Sequence, residues 1–294
     1  MPEITVLNTA DFPPLLKEIP DPPKKLYVRG KLPSTGWKWL AVVGSRAMTS
    51  YGRQACAHLI SGLRGYPVVI VSGLAFGVDA AAHKAALEAG LPTVAVPGSG
   101  LDWSVLYPRA NVSLAREIIS SGGGSASGGK IGGALLSEYE PGLKAAEYTF
   151  PQRNRIMVGL CNATLVVEAK ERSGSLITAR LTAEYNRELL VVPGSIFSPE
   201  SRGTHQFLKL GATPVTEPED ILRALGIKTE EKSKVAREDL TEDEARVLEI
   251  ISTPCPRDEL VQALELPISE ANILLSTMEI KGLIVEELGV VRAQ

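Results

Sequence analysis

The sequence predicts a doubly wound, mostly parallel α/β sheet followed by a small second domain, and three observations carry that expectation. Short apolar runs alternate with helical patterns through residues 1–227, the signature of a parallel sheet covered by helices. The runs are nearly continuous in apolar character, as strands buried on both faces require. Charge then changes abruptly: residues 228–294 hold eight Lys and Arg against fifteen Asp and Glu, net −7, which leaves 23 against 19, net +4, in residues 1–227. A chain of 294 residues, 44% hydrophobic and 22% charged, is long enough for two domains with separate cores.

In chain order, residues 1–30 are proline-rich (Phe12-Pro13-Pro14, Asp21-Pro22-Pro23) and predict an extended arm before the strand-like Leu26-Tyr27-Val28. The main domain, 31–227, predicts strands over 40–43, 68–71, 93–96, 134–137, 164–168 and 189–192. Helices are expected over 51–63, 78–89, 110–119, 153–160 and 175–186. Six strands with helical crossovers make an extended Rossmann-like fold the leading expectation. Residues 121–133 contain seven glycines. A phosphate loop needs a helix directly after it, whereas this run precedes a strand, so its composition favours a flexible connector. The polar run 228–237 predicts a linker. In 238–294, Thr241 and Glu244 form a capping box. A helix over 256–264, a Ser269-capped helix over 270–281 and a strand pair ending at Val290-Val291 complete a winged-helix pattern.

Several function classes fall away. No apolar run of about 18 residues exists to span a bilayer, and Met1-Pro2-Glu3-Ile4 is no signal-peptide start, so a cytoplasmic protein is expected. Cys56, Cys161 and Cys255 form no CxxC pattern. His58, His83 and His205 have no metal-ligand spacing, and no nucleophile elbow is present. Asp79 and His83, four residues apart, are read as a helix-start cap with a neighbour rather than an acid–base couple. No catalytic residue and no metal site are expected.

What remains lies at the strand ends, where an open α/β sheet binds its ligands. Gly44-Ser45-Arg46, Ser72-Gly73, Pro97-Gly98-Ser99-Gly100, Ser173-Gly174-Ser175 and Pro193-Gly194-Ser195 are small turns, most of them just before a helix. Each alone is an ordinary connection; their recurrence points to a polyanion surface. The dinucleotide fingerprint is absent, as is the Walker pattern. Between 151 and 187, Arg153, Arg155, Lys170, Arg172, Arg180 and Arg187 face only Glu168, Glu171 and Glu184, net +3. Phe150-Pro151-Gln152-Arg153-Asn154-Arg155 sets a ring, an amide and two guanidiniums at a helix start, which suits single-stranded nucleic acid. Either arginine could equally pair internally with Glu168 or Glu138.

These blocks, with SGLAFGVDAAAH (72–83), GLDWSVLYPRAN (100–111), LLSEY (135–139), FPQRNRIMVGL (150–160), VVEAKERSGSLITAR (166–180) and VPGSIFSPESRGTH (192–205), together resemble the DNA-processing protein A family, also called Smf, over about 200 residues. The resemblance implies a Rossmann-type domain that binds single-stranded DNA in a basic strand-end pocket. It also implies protection of incoming DNA in natural transformation and competence, and loading of the RecA recombinase as a recombination mediator. It implies no enzymatic activity and no nucleotide cofactor. Carried over by motif, the DNA-binding pocket comprises Gly44, Ser45, Arg46, Phe150, Arg153, Asn154, Arg155, Gly174, Ser175 and Thr178. It implies a homodimer as well, for which Phe207, Leu208 and Leu210 are the candidate contacts, though core packing explains them nearly as well.

The chain departs from the family pattern twice. The N-terminal helical domain of many members is not expected in this chain, whose match to the family blocks begins near its start. The lysine often found ahead of the FPxRNR block is replaced by Glu147-Tyr148-Thr149, with Lys144 as the nearest substitute. The tail is similar to the family's winged-helix domain, but its acidity predicts a protein- or self-interaction module rather than a duplex-binding one. The rival readings are a nucleotide-phosphate hydrolase or phosphoribohydrolase, whose PGGxGTxxE pattern is missing here, and a nucleotide-sensing module.

Overall fold

The computed structural model describes residues 3–33, 35–120 and 133–228, then 241–251, 255–264, 266–280, 283–287 and 289–293. The chain divides into two compact units after Lys228, which moves that lysine into the body and makes the units net +5 and −8. Apart from Gly133 and Lys228, the expected glycine-rich connector and most of the expected linker fall outside the described residues.

In the first unit the elements follow the chain as β1 (Ile4–Asn8), α1 (Pro14–Lys17), β2 (Lys25–Gly30), β3 (Lys38–Val43), α2 (Ser50–Ser61), β4 (Val68–Ser72), α3 (Val78–Glu88), β5 (Thr93–Ala95), α4 (Val112–Ser120), β6 (Ala134–Ser137), α5 (Thr149–Leu160), β7 (Ala163–Val166), α6 (Ser175–Glu184), β8 (Glu188–Val191), α7 (Arg202–Lys209), β9 (Thr213–Pro214) and α8 (Pro218–Ala224). Among the described residues one sheet runs β1-β2-β6-β5-β4-β3-β7-β8-β9. All pairings from β6 to β9 are parallel, while β1–β2 and β2–β6 are antiparallel.

The two-faced burial predicted for the central strands is direct. Trp39, Ala41 and Val43 of β3 join the core on one side of the sheet, and Leu40 and Val42 join the other. Val69 and Val71 of β4 divide from Val68 and Ile70 in the same way. A period of two with both phases apolar is what a strand covered by helices on each face requires.

The expected extended arm is corrected. Residues 4–30 form two strands that extend the sheet antiparallel, Tyr27 pairing with Ser137 in β6 and Val6 with Tyr27. Between them, Pro14 opens α1 and Leu16 and Ile19 pack against Gly159 of α5, where a β-carbon would lie 2.9 Å from both. The prolines shape the connection; Leu26 and Val28, both buried, supply the strand.

The second unit contains α9 (Glu242–Ile250), β10 (Cys255–Pro256), α10 (Arg257–Ala263), α11 (Ile268–Ile280), β11 (Ile284–Glu287) and β12 (Val290–Ala293), with strand order β10-β12-β11. The capping box forms as expected: Thr241 N–H donates to Glu244 Oε2 at 3.1 Å and Glu244 N–H to Thr241 Oγ1 at 3.2 Å. Ser269 lies inside α11 rather than capping it, because Pro267 ends the preceding loop and its carbonyl accepts from Glu270 and Ala271. Val247, Leu260, Leu275, Met278 and Val291 give this unit its own core.

Candidate functional site

The strand order reverses beside β3, which has β4 on one side and β7 on the other. Ligands of doubly wound sheets bind beyond the strand ends at such a point. Here a cavity of about 580 Å³ opens there. Its wall from β3 is Gly44, Ser45 and Arg46; from the start of α5, Phe150, Arg153 and Asn154; from the β7–α6 connection, Lys170, Arg172, Ser173 and Gly174; and from α6, Ser175 and Thr178. Of the residues expected from sequence, Gly44, Ser45, Arg46, Phe150, Arg153, Asn154, Gly174, Ser175 and Thr178 are thus brought together.

Arg155 is not among them. Its guanidinium pairs with Glu138 and, at 3.3 Å, with Asp21, and it donates to the Asp21 carbonyl. One helical position decides this: Arg153 and Arg155 stand about 200° apart around α5, so only one can turn to the cavity. Burial raises the Glu138 carboxyl pKa, and Arg155 opposes that rise.

The local structure explains how the wall is held. Ser45 Oγ accepts from Ala47 N–H at 3.2 Å, and the Ser45 carbonyl accepts from Val78 N–H. Gly77, at φ +73°, sits where a β-carbon would strike the carbonyls of Ser45 and Arg46. Glu168, 2% exposed, accepts from Thr49 N–H at 2.9 Å and from the Thr49 hydroxyl. It holds the start of α2, and Gly52 leaves the space for its carboxylate. This role for Glu168 is not visible in the sequence, where it is only an alternative partner for an arginine.

The electrostatics are layered. Arg153 is 5% exposed and donates to the Val96 carbonyl. Asp79 lies beside it, accepting from Ala75 N–H at 3.2 Å. Desolvation raises the Asp79 pKa and lowers that of Arg153, and each opposes the shift of the other by its charge. The Asp79–His83 pair is divided: His83 is buried against Thr93, their Nδ1 and Oγ1 at 2.7 Å. Nearer the mouth, Arg46 and Arg172 are exposed, Lys170 is 3.1 Å from Glu200, and Glu147 is an acidic edge. The N-terminal end of α6 meets the same space at Gly174 and Ser175, and its dipole favours an anion there. The Arg46 guanidinium lies 5.1 Å over the Phe150 ring. Asn154, nearly buried, has a side-chain amide with no hydrogen-bond partner among the described residues. Lys170 and Arg172 are counted in the sequence as cations but not placed at the site, because the path of their connection follows no periodicity.

Residues 3–226 match the family model described as DNA recombination-mediator protein A. The chain belongs to that family. Residues 229–289 match the DprA winged helix domain. The chain is similar to the DNA processing protein DprA of Streptococcus pneumoniae, 42% identical over 75% of this chain and 73% of that one. It is 43% identical to the protein Smf of Escherichia coli over 73% of this chain, and spans about half of that protein, 54%. Among solved structures, DNA processing protein A of S. pneumoniae aligns with a TM-score of 0.66 at 40% identity, over 75% and 74% of the two chains. The Helicobacter pylori homologue, whose single-stranded DNA binding mode has been described, aligns with a TM-score of 0.64 at 30% identity, over 76% and 98%. For this family member, no helix among the described residues is long and apolar enough to cross a membrane.

The three candidate contact residues near the end of the first unit separate. Phe207 is buried in the core and Leu208 packs against it, whereas Leu210 is 80% exposed.

Proposed function

We propose that this chain binds single-stranded DNA in the β3–β7 cavity and passes it to a recombinase, RecA, during DNA processing and natural transformation, acting by binding rather than catalysis. The observation that carries the reading is the set of three cations, Arg46, Lys170 and Arg172, around one half-buried ring, Phe150, at the open end of a helix. Phosphates meet the cations and the helix end, and a base meets the ring. Asn154 offers a free amide to a base edge or sugar. The H. pylori relative's single-stranded DNA binding supports the ligand. The family description supports the recombination role.

Three phosphate contacts give a slope of log affinity against log salt of about −2 on a single strand. Affinity for an oligonucleotide is therefore expected to fall by roughly 15-fold between 50 and 200 mM salt. Arg46→Ala weakens binding and flattens the slope by about 0.7. A salt-independent affinity, or an Arg46→Ala variant that binds as the parent does, overturns the site. The cavity volume is also that of a mononucleotide-sized ligand. A nucleoside monophosphate in the same titration, assayed for release of free base, tests the hydrolase reading.

The same proposal includes a homodimer. Ile196, Phe197 and Leu210, at 75%, 87% and 80% exposure, are large apolar side chains without cover after β8 and α7. A second copy covers them in this reading, and Leu210→Asp is expected to sediment as a monomer.

A further inference from the structure

Phe150 and Arg46 have two sides. One faces the cationic cavity; the other faces a narrow cleft lined by Gly73, Ala75, Phe76, Tyr107, Pro108 and Phe150, with Arg46 again at its edge. Tyr107 packs on Phe150 with ring centroids 5.7 Å apart and planes tilted by 59°. Tyr107 and Phe76 are nonetheless 44% and 47% exposed. Two half-exposed rings thus continue, past Phe150, the line on which the cavity would hold its ligand.

The loop that carries Phe76 is held rather than loose. Leu74 adopts φ +62°, a conformation that is costly for a side chain with a β-carbon. The Asn111 amide donates to the carbonyls of Leu74 and Ala75 at 2.8 and 3.2 Å, and Asp79 accepts from Ala75 N–H. Leu74 is fully buried while Phe76, two residues on, faces out. The fold maintains a strained turn that keeps a phenylalanine at the surface beside a tyrosine. Packing within this unit does not account for that exposure.

The structure assigns this ledge a ligand: we propose that Phe76 and Tyr107 form a second base-stacking subsite, so that a strand leaves the cavity over Phe150 and lays its next base on these two rings. This rests on the single-stranded DNA reading of the cavity. Arg46 borders both spaces, so its guanidinium can meet the phosphate linking the two bases. The rings carry no charge and offer a face that any base can use, so the ledge adds affinity for strand length without sequence preference. The cleft, about 10 Å³, is too narrow to take a base between its walls. Stacking is on the exposed faces.

The test uses the full chain, thymidine monophosphate and a series of oligothymidylates, with Phe76→Ala, Tyr107→Ala, Tyr107→Phe and Arg46→Ala. Phe76→Ala does not touch the Tyr107–Phe150 pair and is the cleaner variant. Phe76→Ala and Tyr107→Ala are each expected to bind the longer strands about 5- to 150-fold more weakly, the fold-change that one lost stack gives. In these two variants monophosphate binding and the salt slope stay unchanged, and Tyr107→Phe retains parental affinity. Parental strand affinity in Phe76→Ala and Tyr107→Ala overturns the ledge, as does an equal loss for the monophosphate. The underlying reading fails separately, and visibly, if Arg46→Ala leaves both affinity and salt slope intact.

Discussion

His83 is a histidine placed where it cannot be charged. It is fully buried, bonded to the Thr93 hydroxyl, and its pKa is pushed down to about 3, first by desolvation and then by the positive charge of Arg153. In the unfolded chain it titrates near the ordinary histidine value of about 6.5. Below that pH the unfolded state takes a proton that the native state refuses, so stability is full above about 6.5 and drains as pH falls toward 3. The contribution is up to about 1.4 kcal/mol per pH unit across that window. Denaturant unfolding of the parent and of His83→Asn at several pH values checks it. The variant is expected to lose stability outright and also to show a shallower decline from pH 6.5 to 4. Parallel curves would falsify the assignment. Arg153 makes the same point from the other side. The sequence presents it as a cation equivalent to Arg155, but the fold gives one a place against Val96 and Asp79 under the cavity and the other an ion pair with Glu138. Residue type is legible in a motif; which way each residue turns is set by a helix phase that the motif shares with no neighbour.

At the scale of elements, the turn after β5 determines where the ring of α5 can stand. A β-carbon on Gly98 would lie 2.7 Å from Cδ1 and 2.9 Å from Cε1 of Phe150. The Thr149 hydroxyl meanwhile donates to the Gly98 carbonyl at 2.6 Å, which ties the start of α5 to the same turn. Gly98→Ala therefore has to displace the ring. Overpacking of this kind costs about 1–3 kcal/mol of stability, and under the proposed function it moves the ring from the place where a base would stack on it. Oligonucleotide affinity is expected to fall about as far in Gly98→Ala as in Phe150→Ala, with the salt slope kept. A Gly98→Ala variant of parental affinity would show that the position of Phe150 is immaterial. Glycine-containing strand ends are readable in sequence because a turn at the end of a buried strand needs little beyond small residues. The parallel strands are readable for a related reason: burial on both faces leaves an unbroken apolar run. β1 and β9 are not. β1, Ile4-Thr5-Val6-Leu7-Asn8, is an edge strand with neither a strict alternation nor an unbroken apolar run and with no buried residue, and β9 is two residues long, Thr213–Pro214. Lys170 and Arg172 arrive at the cavity along a connection with no period to read.

Across the whole molecule, a formal charge of −3 conceals two opposite surfaces, +5 before residue 229 and −8 after it. A winged helix ordinarily reads duplex DNA by laying its recognition helix in the major groove, with cations on the flanking phosphates. In this chain α11 contains no Lys or Arg, its exposed residues include Ile268, Glu270, Ile273 and Glu279, and Glu286 of β11 is already paired with Arg257. Each phosphate contact normally draws its favourable free energy from counterion release. A face without cations has no such source and meets the duplex with like charge. Because each unit has its own core, the two can be separated. Residues 1–228 alone are expected to keep the oligonucleotide affinity and salt slope of the full chain within about threefold, since every residue that lines the cavity belongs to that unit. Residues 229–294 alone are expected to leave duplex mobility unchanged at physiological salt in a gel-shift titration. A shift of the duplex by the acidic unit would mean that charge does not decide the role of this winged helix, and that α11 holds DNA through contacts other than phosphate pairing.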